Sequence, residues 1–360
     1  MFVKKENSLR KFKLVGFIVG GIIVIFSIVS MIIVMVTYNS QFPKVERHDD
    51  TITLGLRYDD FKEEYPRELV NFNSGANQLQ GYIYGLENDL GLVVVAHGLG
   101  GGADSYLSQI IYLVDQGWQV FAYDATGSYD SEGKSTKGFP QSLIDLDAAL
   151  SYITSQKQFD NLPLLLFGHS WGGYAVANAL HFDYEIHGVV SISGSNSASE
   201  MIIEQGEKMM GTFMVTQKPY LWIYQRILFG KTASLKATDA ISKTETPVLI
   251  VHGIDDESIA YNGSSIISNF LNTALPHVST LTVNAPNRSG HNSLFRSQDA
   301  IDYIEKLNID YRALYNQYNE NIPYKIQQEF YAPLDRSLAQ DLNGDLMDRI
   351  NDFFLMSLSK

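Results

Sequence analysis

Residues 164–173 read Leu-Leu-Leu-Phe-Gly-His-Ser-Trp-Gly-Gly, and this segment is the most informative part of the chain. Its four leading apolar residues predict a short strand buried on both faces of a sheet. Gly168, Ser170 and Gly172 then form the pattern G-x-S-x-G, and a helix is predicted to begin over residues 175–180. Glycine on both sides leaves room for a serine in a strained strand-to-helix turn, with a helix N-terminus beneath its hydroxyl. The stretch therefore predicts a serine nucleophile lifted clear of the sheet.

Apolar runs on both sides of this stretch predict the other strands of the same sheet. Residues 69–72 and 79–84 look like two antiparallel strands around a turn, and helical stretches such as 107–116 and 142–155 separate later runs. Continuous runs typical of strands buried on both faces occur at 92–96, 118–123, 188–192, 248–251 and 280–283. This alternation predicts an α/β fold with a mostly parallel sheet of about eight strands and helices on both faces.

The composition excludes several classes of function. A net charge of −13 over 360 residues argues against binding of nucleic acid and against adsorption of the folded part to anionic lipid. Cysteine is absent, which excludes disulfides, thiolate metal sites and cysteine nucleophiles. No H-E-x-x-H spacing occurs, and residues 341–345 carry Gly at the fourth position, where an EF-hand needs it at the sixth. We therefore expect no metal site and interpret 341–345 as a turn and helix cap.

The N-terminal segment is too apolar for a globular domain. Residues 14–36 contain no charged side chain, and roughly 23 residues suffice to cross a bilayer at 1.5 Å per residue. Basic residues precede this run, so the positive-inside rule predicts a cytoplasmic N-terminus and an extracytoplasmic remainder. A cleaved signal peptide is the alternative, but its apolar region is usually shorter and ends in an A-x-A-like site, which residues 36–39 lack. We expect a single-pass cell-membrane protein with a basic tail at 1–13, an uncleaved signal anchor at 14–37 and a tether at 38–66.

The catalytic domain is predicted to fill residues 67–360. Within it, residues 195–244 separate two strands by far more than a usual crossover and are rich in Met and aromatic residues. They predict a helical lid over the carboxyl ends of the strands, and ordinary core helices are the alternative. If they form a lid, Met210, Tyr220 and Trp222 are candidate substrate-binding residues.

A second insertion is predicted near the C-terminus. Residues 303–340 are rich in Tyr and acidic residues and precede an amphipathic final helix at about 344–358. Some helix is also expected at 59–65, within the tether.

A serine hydroxyl needs a base to accept its proton, and in this architecture the base is a histidine after the last strand. His291 lies in such a loop, whereas the other seven histidines fit the order less well. His169, inside the turn beside Ser170, is expected to point away from the reaction. We therefore predict His291 as the general base.

The base in turn needs an acid to orient it, expected in the chain between the serine and the histidine. The strand at 248–251 ends in a turn that holds Asp255, Asp256 and Glu257. Asp256 is the favoured acid, Asp255 remains the alternative, and Glu257 is expected to be a solvated turn residue.

A tetrahedral intermediate requires backbone N–H groups that receive its oxyanion. Trp171, directly after the serine, and Leu99, in the glycine-rich loop 97–102, are the candidate donors. The same loop could cradle a phosphate, but the Lys-Ser/Thr of a P-loop does not follow it.

These motifs resemble the α/β hydrolases, in the broad group of serine aminopeptidase-type and monoacylglycerol lipase-like enzymes. The resemblance is carried by His97-Gly98-Leu99-Gly100, Gly168-His169-Ser170-Trp171-Gly172 and Gly290-His291. Residues 123–133 are similar to the family's D-x-R-G-x-G-x-S-x-G loop but have Thr126 for Arg and Tyr129 for the second Gly. The resemblance covers about residues 67–300 and the last helix. It implies the α/β-hydrolase fold, a hydrolytic Ser-Asp-His triad and no cofactor.

We therefore expect a membrane-anchored serine hydrolase that cleaves an ester through an acyl-enzyme at Ser170. The anchor and the apolar lid favour a small-molecule acyl ester or lipid-like substrate, as for a carboxylesterase, lysophospholipase or monoacylglycerol lipase. A serine aminopeptidase-like peptidase is the alternative, because amide cleavage uses the same residues. A non-catalytic surface binding protein is a third interpretation.

Overall fold

An eight-stranded sheet forms the centre of the molecule in a computed structural model that describes residues 2–271, 273 and 275–359, the first eight by backbone alone. The strands are β1 (Arg67–Ser74), β2 (Asn77–Tyr84), β3 (Leu92–Ala96), β4 (Gln119–Tyr123), β5 (Leu164–His169), β6 (Ile186–Ile192), β7 (Val248–Gly253) and β8 (Val278–Val283). Their order is β1-β2-β4-β3-β5-β6-β7-β8, with β2 antiparallel to both neighbours and all later pairs parallel. The predicted α/β-hydrolase fold is thus confirmed.

Helices cover both faces of this sheet. They are α1 (Phe2–Ser40), α2 (Leu107–Asp115), α3 (Gln141–Ser155), α4 (Trp171–Asn178), α5 (Ala198–Met210), α6 (Met214–Phe229), α7 (Ala237–Ile241), α8 (Gln298–Gln317), α9 (Tyr324–Tyr331), α10 (Arg336–Ala339) and α11 (Gly344–Ser357). Helices α3 and α4 pack on one face, while α2 and α11 pack on the other. Strands β3 to β7 therefore lie between two apolar layers, which explains their continuous apolar runs.

One strand departs from its predicted burial. Residues 280–283 were expected to be buried on both faces, yet no side chain of β8 is fully buried and Thr280 is exposed. The reason is position: β8 is the edge strand beside β7, where a sheet is covered least. A β-branched run indicates a strand but does not distinguish the centre of a sheet from its edge.

The predicted tether at 38–66 is packed against the domain. The Val45 N–H donates to Gly127 O, and Arg47 forms ion pairs with Asp104 and Asp130. The helix expected at 59–65 is only a short 3-10 turn, Tyr58–Asp60. The segment between α1 and β1 therefore contacts the domain along its length rather than standing apart from it.

The C-terminal insertion packs on the same segment. Tyr324 donates to the Asp49 carboxylate, and Arg336 donates to Thr53 O. Residues 303–340 fold as most of α8 together with α9 and α10, and the final helix α11 begins at Gly344 as predicted. Asn343 stands at its N-cap position, but its side chain makes no capping hydrogen bond and donates to Leu294 O at 3.1 Å instead.

Among the described residues, α1 is the one helix long and apolar enough to cross a membrane, over Arg10–Ser40. A signal sequence meets the same criterion. Most side chains in the first part of this span are exposed, whereas Ser30, Val34 and Tyr38 are buried by the rest of the protein. The C-terminal part of α1 is therefore built into the domain.

Candidate active site

Ser170 lies in a strained turn between β5 and α4. Its backbone has φ 56° and ψ −113°, a conformation that L-residues rarely adopt. A Cβ atom at Gly168 would overlap the carbonyl of Gly172, and one at Gly172 would overlap the carbonyl of Ala96. Both glycines are therefore required by close backbone approach, and the turn lifts the serine hydroxyl above the sheet.

The structure brings Ser170, His291 and Asp256 together in one hydrogen-bonded chain. His291 Nε2 lies 2.8 Å from Ser170 Oγ. On the other side of the ring, Nδ1 lies 2.8 and 2.9 Å from the two carboxylate oxygens of Asp256. The chain runs from a partly exposed hydroxyl to a buried carboxylate. Such an arrangement can move a proton from the serine to the imidazole.

Asp256 is held in its ionised form. Burial raises its pKa, but hydrogen bonds from His252 and His291 outweigh burial, and the N–H of Ile259 adds to them, so the pKa lies well below its usual value. The N–H groups of Ser258 and Ile259 both donate to Oδ1, at 2.9 and 2.8 Å. A fixed negative charge at this point favours the His291 tautomer with its proton on Nδ1, which leaves Nε2 free to accept.

The two neighbouring acids occupy different places. Asp255 is exposed and accepts a hydrogen bond from Ser289, so it does not reach His291. Glu257 was expected to be a solvated turn residue, but one of its carboxylate oxygens accepts the backbone N–H of His291 at 3.0 Å. Glu257 therefore fixes the loop of the base, although its side chain is otherwise exposed.

His169 points away from the serine hydroxyl, as predicted, and connects two loops of the site instead. Tyr106 OH accepts the N–H of Gly98 at 3.0 Å and lies 2.7 Å from His169 Nδ1. His169 Nε2 lies 2.9 Å from the carbonyl oxygen of His291. Burial, reinforced by the nearby His291, lowers the pKa of His169 to about 3, so its ring is neutral. One neutral histidine thus ties the glycine-rich loop to the loop of the base.

The two predicted oxyanion donors belong to the segments next to Ser170, namely the first turn of α4 and the glycine-rich loop. Trp171 opens α4, where the first backbone N–H groups have no partner within the helix. Leu99 lies in a turn and lines the cavity beside the serine. His97, two residues before Leu99, accepts the N–H of Ala125 at 2.9 Å and contacts Gly98 O at 2.7 Å, which fixes the path of this loop.

A cavity of about 670 Å³ opens beside the serine. Its walls come from the glycine-rich loop, from α5 and α6, and from the C-terminal part of α1. Met210 lines it, as expected of a substrate contact, but Tyr220 and Trp222 do not. On α6 the cavity face is Met214, Gln217 and Leu221.

The reason for the difference is the helical period. Residues three to four positions apart share a face, so Tyr220 and Tyr224 turn toward α1. Trp222 turns outward and is 57% exposed. Its neighbour in the chain, Leu221, is buried and takes the place at the cavity.

The contribution of α1 to the cavity was not predicted from the sequence. Ile33, Val34 and Thr37 line it, although they lie in the segment assigned to membrane anchoring alone. A signal was present: Ser27, Ser30 and Thr37 place polar atoms at near-helical spacing along one side of an otherwise apolar run. His252, whose Nε2 lies 3.2 Å from Asp256, was also missed because a histidine at a strand end has no distinctive pattern.

No group of three or more His, Asp or Glu side chains is arranged to hold a metal ion in the part of the chain that the structure describes.

Comparison with known proteins agrees with the fold. Residues 87–236 match the family model described as serine aminopeptidase, S33, a range that includes Ser170 but neither Asp256 nor His291. No curated protein sequence matches the chain significantly.

Solved structures with the same architecture include several esterases. The chain is similar to the esterase Pf2001 of Pyrococcus furiosus, with 15% identity and a TM-score of 0.51 over 77% of this chain and 96% of that one. It is similar to Est1E from Butyrivibrio proteoclasticus, with 15% identity and a TM-score of 0.51 over 81% and 99%. An α/β hydrolase from Vibrio vulnificus has 20% identity and a TM-score of 0.51 over 69% and 82%. The resemblance to α/β hydrolases stated from the motifs is thereby confirmed.

Proposed function

We propose that this α/β hydrolase is a serine esterase that cleaves carboxylic esters of apolar acyl groups through an acyl-enzyme on Ser170. The observation that carries the proposal is the hydrogen-bonded chain from Ser170 through His291 to Asp256, at the mouth of a largely apolar cavity. The family match and the esterase fold neighbours support hydrolysis as the class of reaction.

In the proposed reaction His291 Nε2 accepts the Ser170 proton as Oγ attacks the ester carbonyl. The carbonyl oxygen becomes an oxyanion, which the N–H groups of Leu99 and Trp171 receive. The intermediate collapses with cleavage of the carbon–oxygen bond, and the alcohol leaves with the proton from His291. Water then repeats the sequence on the acyl-enzyme and releases the acid, while Asp256 stabilises the imidazolium each time.

Amide hydrolysis is the second candidate, because the matching family model is described as serine aminopeptidase. The two activities share the acyl-enzyme and differ in the leaving group that His291 protonates. The cavity favours an ester of an apolar acid, since Met201, Ile202, Met210 and Met214 dominate its lid side.

We further propose that α1 is retained as a membrane anchor, with the N-terminus in the cytoplasm and the catalytic domain outside. Its apolar length supports a membrane span, and its basic N-terminal flank supports the orientation. Retention is supported by packing, because Val34, Tyr38 and Phe42 belong to the hydrophobic core of the domain. Cleavage after this helix would expose that core surface.

A fluorophosphonate probe tests the nucleophile directly. We expect the full-length protein in detergent to be labelled, and Ser170→Ala to lose labelling while Ser151→Ala, at an exposed serine of α3, keeps it. An unlabelled but folded wild-type protein would favour the non-catalytic interpretation. Nitrophenyl esters of increasing chain length, assayed beside aminoacyl nitroanilides, then separate an esterase from a peptidase.

A further inference from the structure

The cavity beside Ser170 is closed on one side by α1, the helix that we propose to cross the membrane. Ile33, Val34 and Thr37 line the same space as Met210 on the lid and Ser170 on the sheet. A helix that served only to hold the domain at a membrane would have no reason to reach the substrate.

Specific contacts hold α1 against the lid helix α6. Ser27 Oγ lies 2.9 Å from Tyr220 OH, and Gln217 donates to Ser30 Oγ at 3.3 Å. Farther along, Tyr224 donates to Asn39 Oδ1 at 2.9 Å. These bonds link polar atoms in largely apolar surroundings, where an unpaired partner is costly. The two helices therefore form one unit, with matched positions over more than ten residues of α1.

The lid consequently reaches into the proposed membrane span. Ser27 precedes Thr37, at the outer end of the span, by ten residues, which is roughly 15 Å at 1.5 Å per residue. This depth corresponds to about half of the hydrocarbon thickness of a bilayer. The part of α6 around Gln217 and Tyr220 therefore lies level with the outer leaflet rather than above it.

The outward surface of the lid fits such a position. Large apolar side chains are exposed along it: Phe213, Val215, Trp222, Ile223, Ile227 and Leu228. Of the charged residues in the same region, Glu207 and Lys218 pair with each other at 3.0 Å, Arg226 lies 5.9 Å from the centre of the Trp222 ring, and Lys208 and Lys231 are exposed. This surface is continuous with the exposed apolar residues of α1, so the occupant that fits it is the acyl region of the outer leaflet.

We propose that α1 and the lid together form a binding channel for a single long acyl chain that enters from the outer leaflet, and that α1 limits the length of that chain. The inference rests on the proposed esterase function and adds the substrate class, a membrane-resident long-chain acyl ester. Its ester carbonyl lies at Ser170 and its chain passes Met210 toward Ile33. Ile33 is then a residue that determines specificity.

Neighbouring isoleucines provide a matched test. Ile33 lines the cavity, whereas Ile32 is 55% exposed on the lipid-facing side of the same helix. The full-length protein in lipid nanodiscs is assayed for kcat/KM with acetyl and palmitoyl esters of the same alcohol. We expect Ile33→Trp to lower the palmitoyl-to-acetyl ratio at least tenfold, and Ile32→Trp to leave it as in the wild type.

A substitution that decreases the side-chain volume at Ile33 distinguishes a change of specificity from misfolding. Ile33→Ala enlarges the channel and should move the preferred chain to greater length. Equal ratios in both tryptophan variants, with no change of preference in Ile33→Ala, would overturn the inference. A wild-type protein that hydrolyses no ester and takes no fluorophosphonate would instead overturn the proposed function.

The position of the lid is tested by tryptophan fluorescence. The chain has three tryptophans, of which Trp118 and Trp171 are fully buried and Trp222 is exposed. In vesicles of phosphatidylcholine brominated in its acyl chains, we expect quenching of the wild type and its loss in Trp222→Phe. Quenching of Trp222 by aqueous iodide but not by brominated lipid would contradict a lid in the bilayer.

Discussion

The sheet end around Ser170 and the wall formed by α1 and the lid are built on different principles. At the sheet end, hydrogen bonds at 2.7 to 3.0 Å fix His291, His169 and Tyr106 relative to one another. The wall presents mostly apolar side chains to the cavity, with Met the most frequent, together with Gln205 and Gln217. The first region is suited to moving protons between fixed atoms, and the second to accepting chains that differ only in length.

Because of this difference, substitutions in the two regions should affect catalysis in different ways. A lost hydrogen bond at the sheet end misplaces a reacting group and should reduce the rate for every substrate. A change of volume in the wall should alter the ranking of substrates while the reacting groups stay in place. The following predictions test that division, in order of decreasing effect.

The largest effect is expected at the acid. Asp256→Asn removes the charge that stabilises the imidazolium, so kcat should fall about 10³-fold or more for acetyl and palmitoyl esters alike. Asp255→Asn, one residue away and exposed, should stay within about twofold of the wild type. A larger loss in Asp255→Asn than in Asp256→Asn would reverse the assignment of the acid. Thermal unfolding of both variants serves as the control for folding.

A decrease in pH should destabilise the region of the sheet end around Ser170. Burial lowers the pKa of His97 to about 4, and burial lowers that of His169 to about 3, from a usual value of 6.5. Below pH 6.5 the unfolded chain binds more protons than the folded one, so this stability is complete above pH 6.5 and lost as pH falls toward 4 and 3. Asp124 opposes the trend, since burial raises its pKa to about 6.

Burial raises the pKa of Asp145 as well, so this carboxylate opposes the trend together with Asp124. We expect the two histidines to outweigh the two carboxylates, with a net loss on the order of a few kcal/mol between pH 7 and pH 4. Circular dichroism during heating measures it as a falling Tm. The Asp124→Asn variant should show a steeper fall than the wild type, because one of the two opposing groups is gone. A Tm that stays level or rises toward pH 4 would contradict the neutral, buried state of the two histidines.

A smaller effect is expected from Tyr106→Phe. The hydroxyl accepts the N–H of Gly98 and contacts His169, so its loss leaves a buried donor unsatisfied and loosens the glycine-rich loop. We expect kcat to fall about tenfold for all chain lengths and stability to fall by about 1–3 kcal/mol. Tyr112→Phe, whose hydroxyl bonds the exposed Asp348, is the matched control. A selective loss on long chains alone would place Tyr106 with the wall instead.

The smallest effect is expected in the wall itself. Tyr220→Phe removes the hydrogen bond to Ser27 but keeps the aromatic ring against α1. Activity on acetyl esters should change by less than about twofold, and stability by roughly 1 kcal/mol at most. A tenfold loss of kcat on every ester would show that contacts of α1 also position the reacting groups, and the division between the two regions would fail.

Much of the fold and the candidate site could be predicted from local patterns. The sequence 164–173 specified a strand, a sharp turn and a helix, because backbone approach at Gly168 and Gly172 admits no side chain. Chain order alone selected His291 among eight histidines. These features depend on residues close in sequence or on the fixed connectivity of the fold. The sequence alone therefore predicts them.

Other features depended on which elements meet. The prediction that residues 280–283 are buried on both faces was wrong, because the apolar pattern does not indicate which strand lies at the edge of the sheet. The prediction of Trp222 as a substrate contact was wrong because the aromatic content of a segment does not determine which face of its helix points inward. In the structure, α6 turns Leu221 toward the cavity and Trp222 away from it. Tyr129, standing where the family has glycine, adopts φ 44°, a strain that a motif comparison alone does not reveal.

The sequence by itself determined the α/β fold, the strained serine and an apolar segment long enough to cross a bilayer. Only the tertiary structure decided that Asp256 rather than Asp255 reaches His291, since one residue of turn geometry separates them. It likewise decided that Ile33 of that apolar segment lines the cavity of Ser170, about 140 positions later in the chain. Apolar composition predicts that a surface will be buried, but it does not predict which other surface will cover it. That partner is determined by the packing of helices that are distant in the sequence.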